Sequence, residues 1–230
     1  MATINATTSQ GGFLQSNWSA LFSTWEDTVF YNGATGSDVD GTYIYTYAAY
    51  VGGRGSSWTC RRSYLVFDTS VITGTLTSIS LNIFVNSIYT AVYTPDMIVE
   101  ATGTPNLGTS LTTGDWAPTS LGVVASATGL VDNTWNTLTL NGTGLSIAET
   151  ENEMTLWLKD NYYDYSYFTN LTDPTGLGYI EYRYNYASFI PYLEYTMVTG
   201  YGQTVTGIIA ANMSSVNGPA KASISKVLGV

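Results

Sequence analysis

An all-β fold is what this sequence predicts, and three observations predict it. Aromatic residues make up 14% of the 230-residue chain, led by 19 tyrosines; rings and β-branched side chains suit a pleated, half-buried surface. Short segments alternate apolar and polar residues with the two-residue period of a strand. The 23 glycines stand mostly between those segments, where the chain must turn. A helical bundle would be far richer in Ala, Leu, Glu and Lys.

The strands follow in order. Tyr43-Ile44-Tyr45-Thr46-Tyr47 alternates cleanly, and Ser63-Tyr64-Leu65-Val66-Phe67 is a second strand. A longer one runs from Leu76 to Val85, with Leu76, Ile79, Leu81, Ile83 and Val85 as its apolar points. Met97 to Ala101, Leu121 to Ala125 and Asn136 to Leu140 come next, then a strand with Met154, Leu156 and Leu158 on one face. Tyr179 to Tyr186 and Tyr192 to Met197 close the set. About ten strands separated by turn residues imply a two-sheet antiparallel sandwich or a barrel. A parallel α/β fold would need intervening helices of about 10–15 residues, and the sequence offers only a helical turn at Gly144 to Glu149. Pro105 to Trp116 and Asn170 to Gly178 read as loops. Residues 1–24 read as an N-terminal extension and 25–199 as the β domain.

The character changes at about Thr199. Residues 200–230 hold no acid and two lysines, Lys221 and Lys226, whereas the first 199 residues carry five cations against seventeen acids, a net of −12. Ala211 to Gly218 aligns with Ala222 to Gly229 as an internal repeat. Ile209, Met213, Val216, Ala220, Ile224 and Val227 recur at helical spacing. Gly218-Pro219 divides the stripe into two short helices, with Pro219 opening the second and Asn212 placed to cap the first. Helices this short are marginal alone in water, so the tail is expected to gain order by docking, on its own domain, on a sister subunit or on another protein, with a frayed tail as the alternative.

The whole chain has a formal net charge of −10 and seven cations, a poor composition for gripping phosphates. It contains no histidine and one cysteine, Cys60. That excludes Ser-His-Asp and Cys-His catalysis, histidine-ligated zinc or iron, and an intrachain disulfide. Carboxylate chemistry, a Ser-Lys pair and oxygen-ligated calcium remain. The start, Met1-Ala2-Thr3-Ile4-Asn5, lacks a basic region followed by an apolar stretch and does not read as a secretory signal. No apolar run is long enough to span a bilayer.

Arg61-Arg62-Ser63-Tyr64-Leu65-Val66-Phe67-Asp68 resembles the DNRLRE-type β-sandwich family, in which an arginine precedes an aromatic-Leu-x-Phe-Asp strand. Leu76 to Val85 is similar to the long strand that follows in that family, although Ile79 stands where Ala is usual. Trp135 to Asn141 and Pro191-Tyr192-Leu193-Glu194-Tyr195-Thr196 are similar to its later and closing strands. The likeness covers roughly residues 25–197. It implies a jelly roll with a role on a bacterial surface or in a phage virion, and it implies no catalytic residue. Arg62 and Asp68 are six residues apart, too far along one strand to pair with each other. Each is expected to satisfy a turn or a neighbouring strand.

Tyr182, Tyr184 and Tyr186 alternate with polar residues on one strand, and Tyr162, Tyr163, Tyr165, Tyr167 and Phe168 crowd the loop after the Met154 strand. Flat rings beside polar groups stack on sugars, so Tyr162, Tyr163, Tyr165, Tyr182, Tyr184 and Tyr186 are candidates for a glycan site. A subunit interface uses the same chemistry, and so does a row that faces the core. Glu149, Glu151 and Glu153 raise a glycosidase pair, set against a run of acids on a solvated face, and Lys159 raises a Ser-Lys pair that ranks below it. Asp38, Asp40, Asp160 and Asp164 are candidates for a structural calcium ion; no other cofactor is expected.

The expected function is a non-enzymatic structural component of a phage virion, a head decoration, head fibre or tail-associated subunit. Its sandwich would face outward, and its C-terminal tail would dock on other virion proteins or sister chains. The missing export signal fits a particle released by lysis. A carbohydrate-binding adhesive module is the alternative, and a glycan-active enzyme stands behind both. Partners would be virion proteins or a homo-oligomer, with surface polysaccharide in the second reading and no nucleic acid.

Overall fold

The computed structural model describes residues 1–21, 23–31, 33–39, 41–52, 55–90, 93–102, 110–116, 119–166 and 174–198. Among them, β1 (Ala2–Asn5), β2 (Gly12–Ser19), β3 (Gly36–Val39), β4 (Tyr43–Val51), β5 (Ser57–Asp68) and β6 (Leu76–Tyr89) precede β7 (Met97–Thr102), β8 (Ser120–Ala127) and β9 (Thr134–Thr139). A helix, α1 (Gly142–Thr150), leads into β10 (Glu153–Asp160), β11 (Leu177–Arg183) and β12 (Tyr192–Met197). The described part is all-β, and every strand pair is antiparallel.

The twelve strands form one connected, curled sheet, ordered β1-β12-β6-β11-β4-β5-β10-β7-β8, with β2 and β3 branching from β5 and β9 branching from β6. The branching follows from length. β5 has 12 residues and β6 has 14, longer than their neighbours. The first half of β5, Ser57 to Arg61, pairs with β4; its second half, Ser63 to Asp68, pairs with β10; β2 covers the opposite edge. β6 divides likewise between β11 and β12, with β9 on its other edge. A long strand that changes partner partway is how a sheet turns a corner and packs on itself.

The core lies where the sheet closes. Leu65, Phe67, Met154, Leu156, Leu158, Met97, Val99 and Ala101 project from β5, β10 and β7. They meet Ile44, Ile180, Tyr182, Leu81, Ile83 and Leu193 from β4, β11, β6 and β12. A cross-core contact marks the packing: the Tyr182 hydroxyl lies 3.0 Å from Met97 Sδ and 3.2 Å from Thr46 Oγ1.

The sequence expects a helical turn at Gly144 to Glu149, and α1 extends it by about half a turn at the start. Asn141 caps it, its side-chain oxygen accepting from Thr143 N at 3.0 Å and Gly144 N at 3.1 Å. Residues 1–24, read as an extension, lay two strands into the sheet. β1 pairs with β12, Ala2 opposite Tyr195, and β2 runs along β5 from Gly12 opposite Tyr64 to Ser19 opposite Ser57. The proposed tail helices, with Ile209, Met213, Val216, Ala220, Ile224 and Val227, lie outside the described residues.

Candidate functional site

Two clusters of chemistry-bearing side chains occupy opposite situations, one roofed and one exposed.

The roofed cluster sits on the face of the β5–β10–β7 region opposite the main core. Register sets it: Tyr64 of β5 lies beside Trp157 of β10, and Trp157 beside Glu100 of β7. The Tyr64 and Trp157 rings stack with centroids 5.8 Å apart. Lys159, two residues along β10, places Nζ 2.6 Å from Glu100 and 3.3 Å from the Trp157 ring centroid. Three loop segments close over this face, contributing Trp25 and Val29, Leu111 and Trp116, and Tyr163.

Arg62 ties the roof down. Its Nε donates to Asp164 Oδ2 at 2.8 Å and its Nη2 to Asp164 Oδ1 at 2.6 Å, while Nη1 donates to Trp116 O at 2.8 Å and Nη2 also to Val29 O at 2.9 Å. The guanidinium also lies over the Trp116 ring at 4.1 Å. Burial alone would lower the Arg62 pKa, but the adjoining Asp164 carboxylate reverses this and raises it. Asp160 caps the turn after β10, Oδ1 accepting from Tyr163 N at 2.6 Å and Oδ2 from the Tyr93 hydroxyl at 2.9 Å. Burial pushes its carboxyl up to about 7, against the pull of those bonds. Burial also depresses the Lys159 ammonium and, joined by the Asp164 charge, raises the Cys60 thiol well above its usual range.

These contacts place the residues that the sequence singled out. Asp160 and Asp164, offered as calcium ligands, are consumed by the cap and by Arg62. Among the described residues no three metal-ligating side chains gather, Asp38 stands exposed in β3, and Asp40 is outside the described residues. Lys159, offered for a Ser-Lys pair, is held by Glu100. Glu149 accepts from Leu76 N at 2.5 Å, and Glu149 and Glu151 face solvent. Arg62 meets its expectation of satisfying loops and neighbours, and Asp68 does so at a turn, accepting from Ser70 N at 3.1 Å.

The exposed cluster is a strip of rings across β2, β5, β4, β11, β6, β9 and β12. Tyr43, Tyr45 and Tyr47 of β4 stand opposite Arg183, Glu181 and Tyr179 of β11, so all six share one face. Tyr47 is also opposite Arg61 of β5, and Arg61 opposite Gln15 of β2. The Arg61 guanidinium lies 5.1 Å from the ring centroids of Phe13, Tyr45 and Tyr47. Tyr179 stacks on Tyr47 at 5.9 Å and on Tyr89 at 5.3 Å. Farther along, Arg183 lies within 6 Å of Tyr43, Phe84, Tyr186 and Phe189, and Trp135 packs edge-on against Tyr192 and Phe84. Between the two ring groups, Glu181 accepts from Asn86 and lies beside the Tyr45 hydroxyl, and Arg183 Nε donates to Asn86 Oδ1 at 3.0 Å. Burial, with Glu181 beside it, pushes the Tyr45 hydroxyl up to about 12. Most of these rings are partly exposed, and Tyr89 and Tyr186 keep 42% and 45% of their surface open.

The structure shifts the expected tyrosine row by one residue. Tyr182 and Tyr184 are fully buried, because Ile180 shares their face and draws it into the core. Neither can line a groove on the surface; Tyr186, past the strand end, can. Tyr162 and Tyr165 are open, but Tyr163 is buried under the roof beside Tyr93. Tyr167 and Phe168 are outside the described residues. Sequence reasoning missed Tyr179, Tyr45, Arg61 and Arg183; the signal was the Tyr-x-Glu-x-Arg phase from Tyr179 to Arg183, whose charges mark the solvent side.

No helix among the described residues is long and apolar enough to cross a membrane. Neither a protein-family model nor a curated protein matches the chain.

Proposed function

We propose that the protein is a non-enzymatic adhesive subunit that presents its aromatic strip to a surface polysaccharide. The single observation that carries this reading is the strip itself: partly exposed rings on one face, interleaved with a carboxylate, amides and two guanidinium groups. Sugars offer flat apolar faces to rings and hydroxyls to polar neighbours, which is the pattern that Tyr179, Tyr47, Glu181 and Asn86 provide together. Contiguous exposed apolar surface rimmed by polar groups marks binding sites. The buried acids and cations elsewhere are paired within the protein, which favours a binding role over catalysis.

The finer expectations belong to the same proposal. The curled sheet, cornering at β5 and β6, is compatible with a jelly-roll sandwich of the DNRLRE type. A phage virion is the proposed home, as head decoration, fibre or tail-associated protein, supported by that resemblance and by the cationic, helically patterned residues 200–230. Deleting 200–230 should leave a folded β domain that no longer joins its particle.

A glycan array probed with the full chain and with Tyr179→Ala tests the central claim. The expected result is binding by the native chain and at least a tenfold loss in the variant, with its melting temperature unchanged. A blank array, or equal binding by both chains, would refute it.

A further inference from the structure

Four of the seven cations fall among the described residues: Arg61, Arg62, Lys159 and Arg183. Arg62 and Lys159 are buried in ion pairs with Asp164 and Glu100. The other two, Arg61 and Arg183, lie within salt-bridge distance of no carboxylate among the described residues, and both stand in the aromatic strip. In a chain with 17 acids and a net charge of −10, carboxylates are plentiful, so this placement runs against the protein's own charge balance. Glu181, the acid between the two arginines, is engaged by Asn86, and the other acids on this face, Asp38 and Glu194, form no ion pair with either arginine.

Both arginines are held the same way. Each spends Nε on a side-chain amide oxygen, Arg61 on Gln15 Oε1 at 2.7 Å and Arg183 on Asn86 Oδ1 at 3.0 Å. Each is flanked by rings within 6 Å, three around Arg61 and four around Arg183. Nη1 and Nη2 of both have no hydrogen-bond partner among the described residues. A guanidinium held by its Nε bond and hemmed in by rings presents a fork that matches a carboxylate.

We infer that the strip takes an acidic polysaccharide, with carboxylates of the sugar chain seated on Arg61 and Arg183 and sugar faces on the rings between them. This rests on the glycan reading above and narrows its ligand class. The two arginines are separated by two strand spacings, about 10 Å, and by four residues along a strand, about 13 Å; that is roughly 16 Å in the plane of the sheet. A polymer bearing a carboxylate at intervals can reach both, whereas a single sugar cannot. The surrounding negative charge of the protein then selects for chains that deliver their carboxylates to these two points and disfavours indiscriminate polyanion binding.

The test uses the full chain on a panel of carboxylated polymers (polygalacturonate, alginate, hyaluronate, polysialic acid) and neutral ones (dextran, mannan, xylan). The expected result is binding confined to carboxylated members, weakened by added salt. On the best binder, Arg61→Gln and Arg183→Gln should each lower affinity on the order of tenfold, with the melting temperature unchanged. Binding confined to neutral polymers, or equal for both kinds, overturns the acidic ligand and leaves the glycan reading standing. No binding to any polymer overturns both. If a glutamine variant fails to fold, methyl-esterified polygalacturonate decides: equal binding of ester and free acid overturns the inference, and loss on esterification upholds it.

Discussion

Arg62 and Asp164, 102 residues apart in sequence, meet in two parallel hydrogen bonds of 2.8 and 2.6 Å beneath a roof of three loops. Removing one partner strands a charge in the interior. Asp164→Asn and Arg62→Ala should each cost about 3–5 kcal/mol, read as a shift in the urea midpoint. Replacing both with apolar residues should recover only part of the loss, because the Val29 and Trp116 carbonyls that Arg62 serves would stay orphaned.

Asp160 gives stability an unusual pH slope. Unfolded, it releases its proton near 3.8; folded, near 7. Between those values the folded state keeps a proton that the unfolded state has lost. Its contribution is therefore full below the lower value, declines as pH rises, and is gone above the upper one. Asp160→Asn should flatten this component. The variant should gain melting temperature relative to the native chain as pH is raised from about 5 to about 8, and a constant difference would contradict the assignment.

Tyr93 reaches Asp160 only because Gly178 lets its ring lie against β11. A Cβ at position 178 would stand 2.2 Å from the Tyr93 ring. Gly178→Ala should displace the ring, break the bond to Asp160 and destabilise by about 1–3 kcal/mol. Gly178→Ala combined with Tyr93→Ala should lose less than the sum of the two changes, as a double-mutant cycle would show.

The two phases of the β11 tyrosines should separate cleanly. Tyr182→Ala empties the core and should cost about 3–5 kcal/mol, whereas Tyr179→Ala should change stability by less than about 1 kcal/mol. Thermal melts of both variants check this.

Cys60 should resist thiol reagents. It is buried at zero exposure and its thiolate is disfavoured by burial and by Asp164. Labelling should be slow in the native protein and fast in denaturant.

Much of the sheet was legible in the sequence because its strands are short apolar or alternating segments set between turn residues. β4 to β12 coincide with the short apolar segments read as strands, cleanly alternating in β4 and β11 and continuous in β7 and the second half of β5, and α1 contains the helical turn expected at Gly144 to Glu149. β1 to β3 escaped for a physical reason: β2 turns Gly12, Leu14 and Ser16 inward, so polar Ser16 breaks the apolar phase, and β3 offers only Val39. The tyrosine strand carries rings on both faces, and its phase could be read only by letting Ile180 outvote Tyr186. The partner of Arg62 was not legible at all, since pairing across 102 residues is decided by how the turn after β10 folds back, and the same acids look like loop ligands when read in isolation.

β5 needs residues 12–19, 43–51 and 153–160 beside it before its backbone groups are satisfied. A chain emerging from the ribosome has made β5 and two of those neighbours long before the third appears. For about a hundred residues of synthesis, an apolar edge from Ser63 to Phe67 stands open to any other strand that passes. Assembly is thus governed by its most distant contact, with slow closure and a need for protection during production as the expected cost.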